Sequence, residues 1–131
     1  MDIGRASKAS GVSVEMIRHY EAIGLLPKVA RTAANYRVYA PNDVHELRFI
    51  RRARALGFSV DEIQELLGLW RNKSRSSAAV KKIAARHIDD LKLKIAELQS
   101  MVHTLEHLTT HCHGDDRPEC PILDDLAANR M

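Results

Sequence analysis

Cys112 and Cys120 are the only two cysteines in this 131-residue chain, and seven residues separate them: His-Gly-Asp-Asp-Arg-Pro-Glu. Gly and Pro in so short a span mark a loop, and a loop this charged is not a core. Two thiols brought together this way can hold a soft metal ion, cycle through a disulfide, or be unrelated. In a reducing compartment a lasting disulfide is disfavoured, which leaves metal or redox chemistry. Two sulfurs with no evident third protein ligand imply a low coordination number. That suits Cu(I), Ag(I) or Au(I), whereas a structural zinc ion takes four nitrogen or sulfur ligands.

A second set of donors lies just before the thiols. His103, His107 and His111 recur every fourth residue, a stripe on one helix face, with His113 just beyond. Imidazoles spaced in this way bind zinc, nickel or Cu(II). The competing reading is a polar outer face, and the helix register favours it.

That register follows from the element that must carry these groups. No Gly or Pro interrupts the chain from Ser77 to Cys112, and Ser77 is placed to cap a helix there. Ile88, Leu91, Ile95, Leu98, Val102 and Leu105 are spaced as a heptad seam, extended upstream by Ala84 and weakened downstream by Thr109. The histidine stripe falls at positions b, f and c, away from the seam. A helix over about 76–111 has too little chain left to cover its own seam. A coiled-coil partner is therefore expected, and a homodimer is the simplest source. Residues 112–131 then form the thiol loop and a short terminal helix.

The N-terminal part, residues 1–70, carries a different pattern. Residues 3–9 predict a short helix, broken at Ser10-Gly11-Val12. Ser13 caps a second helix from Val14, with Glu15 in its first turn. Two short helices joined by a tight turn containing Gly make a helix-turn-helix over about 3–22. Asn35-Tyr36-Arg37-Val38-Tyr39 is rich in β-formers and predicts a hairpin with the stretch around Lys28–Ala30, inside a wing at about 25–40. Arg31 and Arg37 are placed there to meet phosphate. A further helix pair spans about 42–70. Its first helix opens at Pro41-Asn42-Asp43, carries Leu47, Ile50 and Ala53–Leu56 inward, and stops at Gly57. The second opens on a capping box, Ser59 with Glu62, and carries Ile63, Leu66, Leu67 and Trp70. Arg48, Arg51, Arg52 and Arg54 cluster on the first of these, and some could reach phosphate.

Composition narrows the function classes. Residues 1–75 hold 13 Lys/Arg against 8 Asp/Glu, and residues 76–131 hold 7 against 9. The basic half is where a nucleic-acid surface should be sought. Aromatics are only 5%, which leans towards helices packed through aliphatic side chains. No run approaches the roughly 18 apolar residues that span a bilayer. The opening MDIGRASKAS lacks an apolar signal core, so no membrane partner and a cytoplasmic location are expected. No nucleophile, base and oxyanion donor assemble, so an enzyme is not expected.

The motifs IGRASKASGVSVEMIRHYEAIGLL, NYRVY and RRARALGFSVDEIQELL together resemble the MerR family of transcription regulators. The resemblance implies a mainly α fold: a winged helix-turn-helix DNA-binding domain, a long coiled-coil dimerisation helix and a C-terminal metal-binding loop. It also implies a homodimer on double-stranded promoter DNA. There, metal binding changes the bend and twist of an overlong spacer so that RNA polymerase engages both promoter elements. For DNA contact the family pattern carries onto Arg18 and Tyr20 in the recognition helix and onto Arg31, Tyr36 and Arg37 in the wing. Arg18 is the candidate for a contact at or near the bases, and Tyr20 can equally pack in the core.

The tail CHGDDRPECPIL is similar to the copper-efflux regulators of that family, the CueR/HmrR type. Their pattern carries onto Cys112 and Cys120 as linear ligands of one Cu(I), with Ag(I) or Au(I) as substitutes. Members responding to Zn, Cd, Pb or Hg have a further cysteine where the dimer helix begins; here that stretch reads RSSAAVKK, with Ser77 in the selective position. Two thiolates around a +1 ion leave one negative charge, which nearby amides can stabilise. Activation of copper efflux or detoxification genes is the implied role. A divalent-metal sensor of the same family and a thiol-redox regulator are the alternatives. Copper-type members often end in a Cys/His-rich tail, and this chain ends in AANRM.

Overall fold

A computed structural model describes residues 1–112, 114–115 and 118–128; His113 and most of the AANRM end lie outside the described residues. The chain divides into two units, residues 1–84 and 85–131, each considered by itself. Among the described residues there are six helices and one two-stranded ladder.

The first unit begins with α1, Ile3–Ser10, where Asp2 caps the start by accepting from the Arg5 N–H at 2.8 Å. Gly11 ends it with φ +77°. A side chain there would be strained by that backbone, and its Cβ would also lie 2.9 Å from Arg51 Nη1. Ser13 Oγ then accepts from the Met16 N–H at 3.2 Å and starts α2, Val14–Ala22. The expected cap is in place, although α1 runs one residue further, through Ser10.

The wing is smaller than its sequence suggested. β1 is Ala30–Arg31 and β2 is Arg37–Val38, antiparallel, with Ala30 opposite Val38 and Arg31 opposite Arg37. The ladder thus starts later than Lys28. Asn35, expected to open a strand, turns the chain instead with φ +68°, a conformation Asn tolerates better than most residues.

α3, Pro41–Ala55, opens with Pro in the first turn and Asp43 accepting from the Ala40 N–H at 2.8 Å. α4, Val60–Arg71, opens on the reciprocal Ser59–Glu62 box, at 3.2 and 2.9 Å. Both starts are where the sequence placed them. Leu47, Ile50, Ile63 and Leu67 are fully buried with Ile17, Leu25, Leu26 and Tyr39. Each such side chain contributes about 1.5–3 kcal/mol by burial. Leu56 was expected inward but is 48% exposed, because α3 ends at Ala55 and the chain turns there. Trp70 lies at the margin, its ring stacked on Phe49 at 4.8 Å.

One polar clasp crosses this core. Glu46 on α3 accepts from Arg71 Nε and Nη2 at 2.7 and 2.9 Å, and Nη2 also reaches the Leu25 carbonyl at 3.4 Å. The Glu46 side chain is 4% exposed and that of Arg71 40%. Removing one partner of a fully enclosed pair costs about 3–5 kcal/mol. Water already screens Arg71, so about 2 kcal/mol is expected for Arg71→Ala. The melting temperature should fall by roughly 8–16 °C for a unit of this size. An unchanged melting curve would show that the clasp adds nothing.

α5, Ser77–His111, begins in the first unit and makes up most of the second. Its 35 residues span about 52 Å at the α-helical rise. Ser77 is not the cap: it is the first helical residue, while Ser76 Oγ accepts from the Ala78 N–H at 3.1 Å. Ile88, Ile95, Leu98, Val102 and Leu105 are 45–64% exposed on this single chain, a contiguous apolar row of the kind that marks an interface. α6, Pro121–Ala127, closes the described chain. No helix among the described residues is long and apolar enough to cross a membrane.

Candidate metal centre and nucleic-acid surface

The two cysteines sit at the facing ends of two helices in the second unit. Cys112 follows the last residue of α5, and its N–H donates to the Thr109 carbonyl at 3.1 Å. Cys120 immediately precedes Pro121, the first residue of α6, and its carbonyl accepts from the Asp124 N–H at 3.0 Å. Gly114, between the two thiols, has φ +65°, a conformation that favours glycine. Both thiols are half-buried and unbridged, with their sulfurs 3.9 Å apart. A disulfide bond is about 2.0 Å long, so the sulfurs are not bonded, and with metal–sulfur distances of about 2.3 Å the pair is close enough to share an ion.

Local electrostatics favour the thiolate at Cys120. The Leu123 N–H, then the Ile122 N–H and the Cys112 thiol, hold Cys120 below its ordinary pKa, opposed by burial and by Asp124. Amides that donate towards the sulfur favour its charged form. The amides at the start of α6 were foreshadowed by Pro121, a residue that favours the first helical position.

The first unit carries the residues expected at DNA. Arg18 and His19 are exposed on α2, while Ile17 and Tyr20 on the other face are buried. Tyr20, 5% exposed, belongs to the core cluster. In the wing, Tyr36 is 72% exposed, and Arg31 Nη1 donates to the Asn35 carbonyl at 3.1 Å, across the turn. Arg37 does not project freely. Its Nε donates to Glu21 Oε2 at 2.9 Å, and the Tyr39 hydroxyl reaches the same oxygen at 3.5 Å. Burial first, then the Glu21 carboxylate, raises the Tyr39 pKa above its ordinary value, so the hydroxyl stays a donor. Glu21 thereby ties the wing to α2.

Two positioning residues escaped the sequence reading. Glu21 is one, and no local pattern marks a partner sixteen residues away. Arg48 is the other. Grouped with possible phosphate contacts, it instead donates from Nε and Nη2 to the Ala9 carbonyl at 3.0 and 2.8 Å. It satisfies a carbonyl at the end of α1, which has no partner within the helix. Ser77 is exposed at the start of α5.

A helix-turn-helix with a basic hairpin beside it, joined to a long helix with an open apolar seam, defines a DNA-binding transcription regulator. Comparison with known proteins agrees. The pattern described as "MerR HTH family regulatory protein" matches residues 1–69, and that described as "MerR, DNA binding" matches residues 44–108. The chain is 61% identical over 127 residues to the HTH-type transcriptional regulator HmrR of Sinorhizobium medicae (strain WSM419), covering 97% of this chain and 86% of that protein. It is 60% identical, with the same coverage, to heavy metal-dependent transcription regulator 2 of Rhizobium meliloti (strain 1021). Among solved structures, PbrR691 from Ralstonia metallidurans CH34, in complex with lead(II), matches with a TM-score of 0.84 at 35% identity, covering 97% of this chain and 99% of that one. This chain belongs to the MerR family of helix-turn-helix transcription regulators, whose members act on DNA rather than as enzymes.

Proposed function

We propose that this protein is a cytoplasmic, homodimeric, metal-responsive activator in which Cys112 and Cys120 hold one Cu(I), with Ag(I) or Au(I) as substitutes. It switches on copper efflux or detoxification genes by distorting promoter DNA so that RNA polymerase engages both promoter elements. The observation that carries this reading is a pair of half-buried, unbridged thiols close enough to share one ion, in a chain with no third cysteine. Two soft donors suit an ion content with two ligands. The bound site keeps one negative charge, and the Leu123 and Ile122 amides that favour the Cys120 thiolate lie beside it. Resemblance to regulators named for heavy metals supports metal response in general.

Residues 1–70 make the DNA-binding domain, 76–111 the dimerisation helix, and 112–131 the metal loop with its short helix. Arg18 reads at or near the bases, Arg31, Tyr36 and Arg37 position the wing on phosphate, and Tyr20 serves the core. Arg18→Ala should weaken operator binding by about 1–3 kcal/mol with or without metal. Fluorescence anisotropy on a labelled operator measures this, and an effect confined to the metal-bound form would count against a direct contact.

A divalent ion is the second reading, and two observations favour it. The PbrR691 relative was solved with lead(II). At a metal–sulfur distance of about 2.3 Å, sulfurs 3.9 Å apart subtend a bent angle. A linear ion needs them about 4.6 Å apart at that bond length. The Cu(I) reading therefore requires the loop to open slightly on binding. Titration with Cu(I) and with Zn(II) against competing chelators, read out by in vitro transcription, separates the two. Activation by Zn(II) alone would overturn the monovalent assignment. Activation by a mild oxidant without metal, with the loss of two protons per chain in the mass spectrum, would instead support a thiol-redox switch. In a dimer with antiparallel long helices, Ser77→Cys should admit divalent ions by bringing a third thiolate from the partner helix, since the two ends of α5 in one chain are about 52 Å apart. An unchanged metal profile would remove Ser77 from the selectivity mechanism.

A further inference from the structure

His107 and His111 lie one helical turn apart near the end of α5, with ring centroids 4.3 Å apart and ring planes inclined by 44°. Both are exposed, as is His103 one turn earlier. His111 Nδ1 lies 2.8 Å from the His107 carbonyl oxygen. A carbonyl only accepts, so Nδ1 is the donor, and in the neutral imidazole Nε2 is the nitrogen whose lone pair faces outward to an ion. That is how a metal-binding imidazole is usually oriented: one nitrogen is tied to a backbone acceptor and the other is left to the ion.

We propose that His107 and His111 form a second metal site, independent of the thiol pair, for a borderline divalent cation such as Ni(II), Cu(II) or Zn(II). The donor chemistry separates the two sites, since thiolates take soft ions and imidazoles take borderline ones. The heptad register puts these two residues at f and c, opposite the a and d seam, so a partner helix leaves them open. Water completes the coordination sphere. A chelate across one turn fastens the end of α5, the segment from which Cys112 emerges.

The test uses the full-length chain carrying Cys112→Ser and Cys120→Ser, so that only nitrogen and oxygen donors remain. Calorimetric titration with Ni(II) or Cu(II) should show one ion per chain. The Cu(II) electron paramagnetic resonance spectrum should show nitrogen coordination. Adding His107→Gln or His111→Gln should weaken binding by about tenfold or more, the loss expected when a site forfeits a supporting group or a ligand. His103→Gln should cost less. Circular dichroism shows whether each variant keeps its helices. Undiminished binding after both glutamine substitutions would place the ion elsewhere and overturn the proposal. So would absence of binding in the thiol-free chain.

Discussion

Replacing either Cys112 or Cys120 by serine should abolish the transcriptional response to metal while leaving operator affinity within about threefold, or ~0.6 kcal/mol. Serine keeps the size of the side chain but exchanges a soft, readily ionised sulfur for a hard hydroxyl that stays protonated at neutral pH. One remaining thiolate cannot hold a two-coordinate ion. The two sites of mutation lie at the end of α5 and before α6, in the second unit, whereas Arg18 and the wing belong to the first. DNA affinity should therefore survive. Transcription assays with and without Cu(I), paired with operator-binding isotherms, measure the two properties separately. A serine variant that still responds to metal would remove the thiol pair from sensing. One that no longer binds DNA would give the loop a structural role instead.

The second large effect belongs to the seam. Ile95→Asp together with Leu98→Asp should convert the protein to a monomer and lower operator affinity by two orders of magnitude or more. Ile95 and Leu98 are 64% and 59% exposed on the single chain. Burying each against a partner contributes about 1.5–3 kcal/mol, and a two-fold dimer counts each residue twice. Aspartate forfeits that burial and sets like charges against each other across the axis. A monomer keeps one recognition unit and loses the contribution of the second half-site. Sedimentation equilibrium and operator titration measure the outcome, with Ser100→Asp, at an outward f position, as the control expected to change neither. A doubly substituted chain that remained dimeric would place the interface elsewhere.

Much of the architecture could be read from local signals. Ser13, Pro41 and the Ser59–Glu62 box act within a turn of themselves, so the helices they start were visible in the residue order. The apolar seam was likewise a matter of spacing alone. The thiol pair was visible by composition, and its loop by Gly114 and Pro118. What escaped depends on contacts made across the fold. Glu21 with Arg37, Glu46 with Arg71 and Arg48 with Ala9 join residues 16, 25 and 39 positions apart, and no periodicity announces them. Two errors were of one register step or one turn: Ser76 caps where Ser77 was expected, and Leu56 faces out because α3 stops just before it. The 3.9 Å between the sulfurs is a property of how the loop closes, which the sequence does not state.

The pairing of Arg37 with Glu21 has a consequence for how salt affects the complex with DNA. A basic side chain that docks on phosphate ordinarily releases a condensed counterion, and each adds about 0.9 to the steepness with which affinity falls as salt rises. In the proposed complex, Arg37 would reach the duplex already paired with a carboxylate. A phosphate that takes it displaces Glu21, which stays tethered nearby instead of diffusing away. The wing can thus touch the backbone at Arg37 while adding little to the ionic-strength dependence of binding, and a count of phosphate contacts drawn from salt titration alone will fall short at this position.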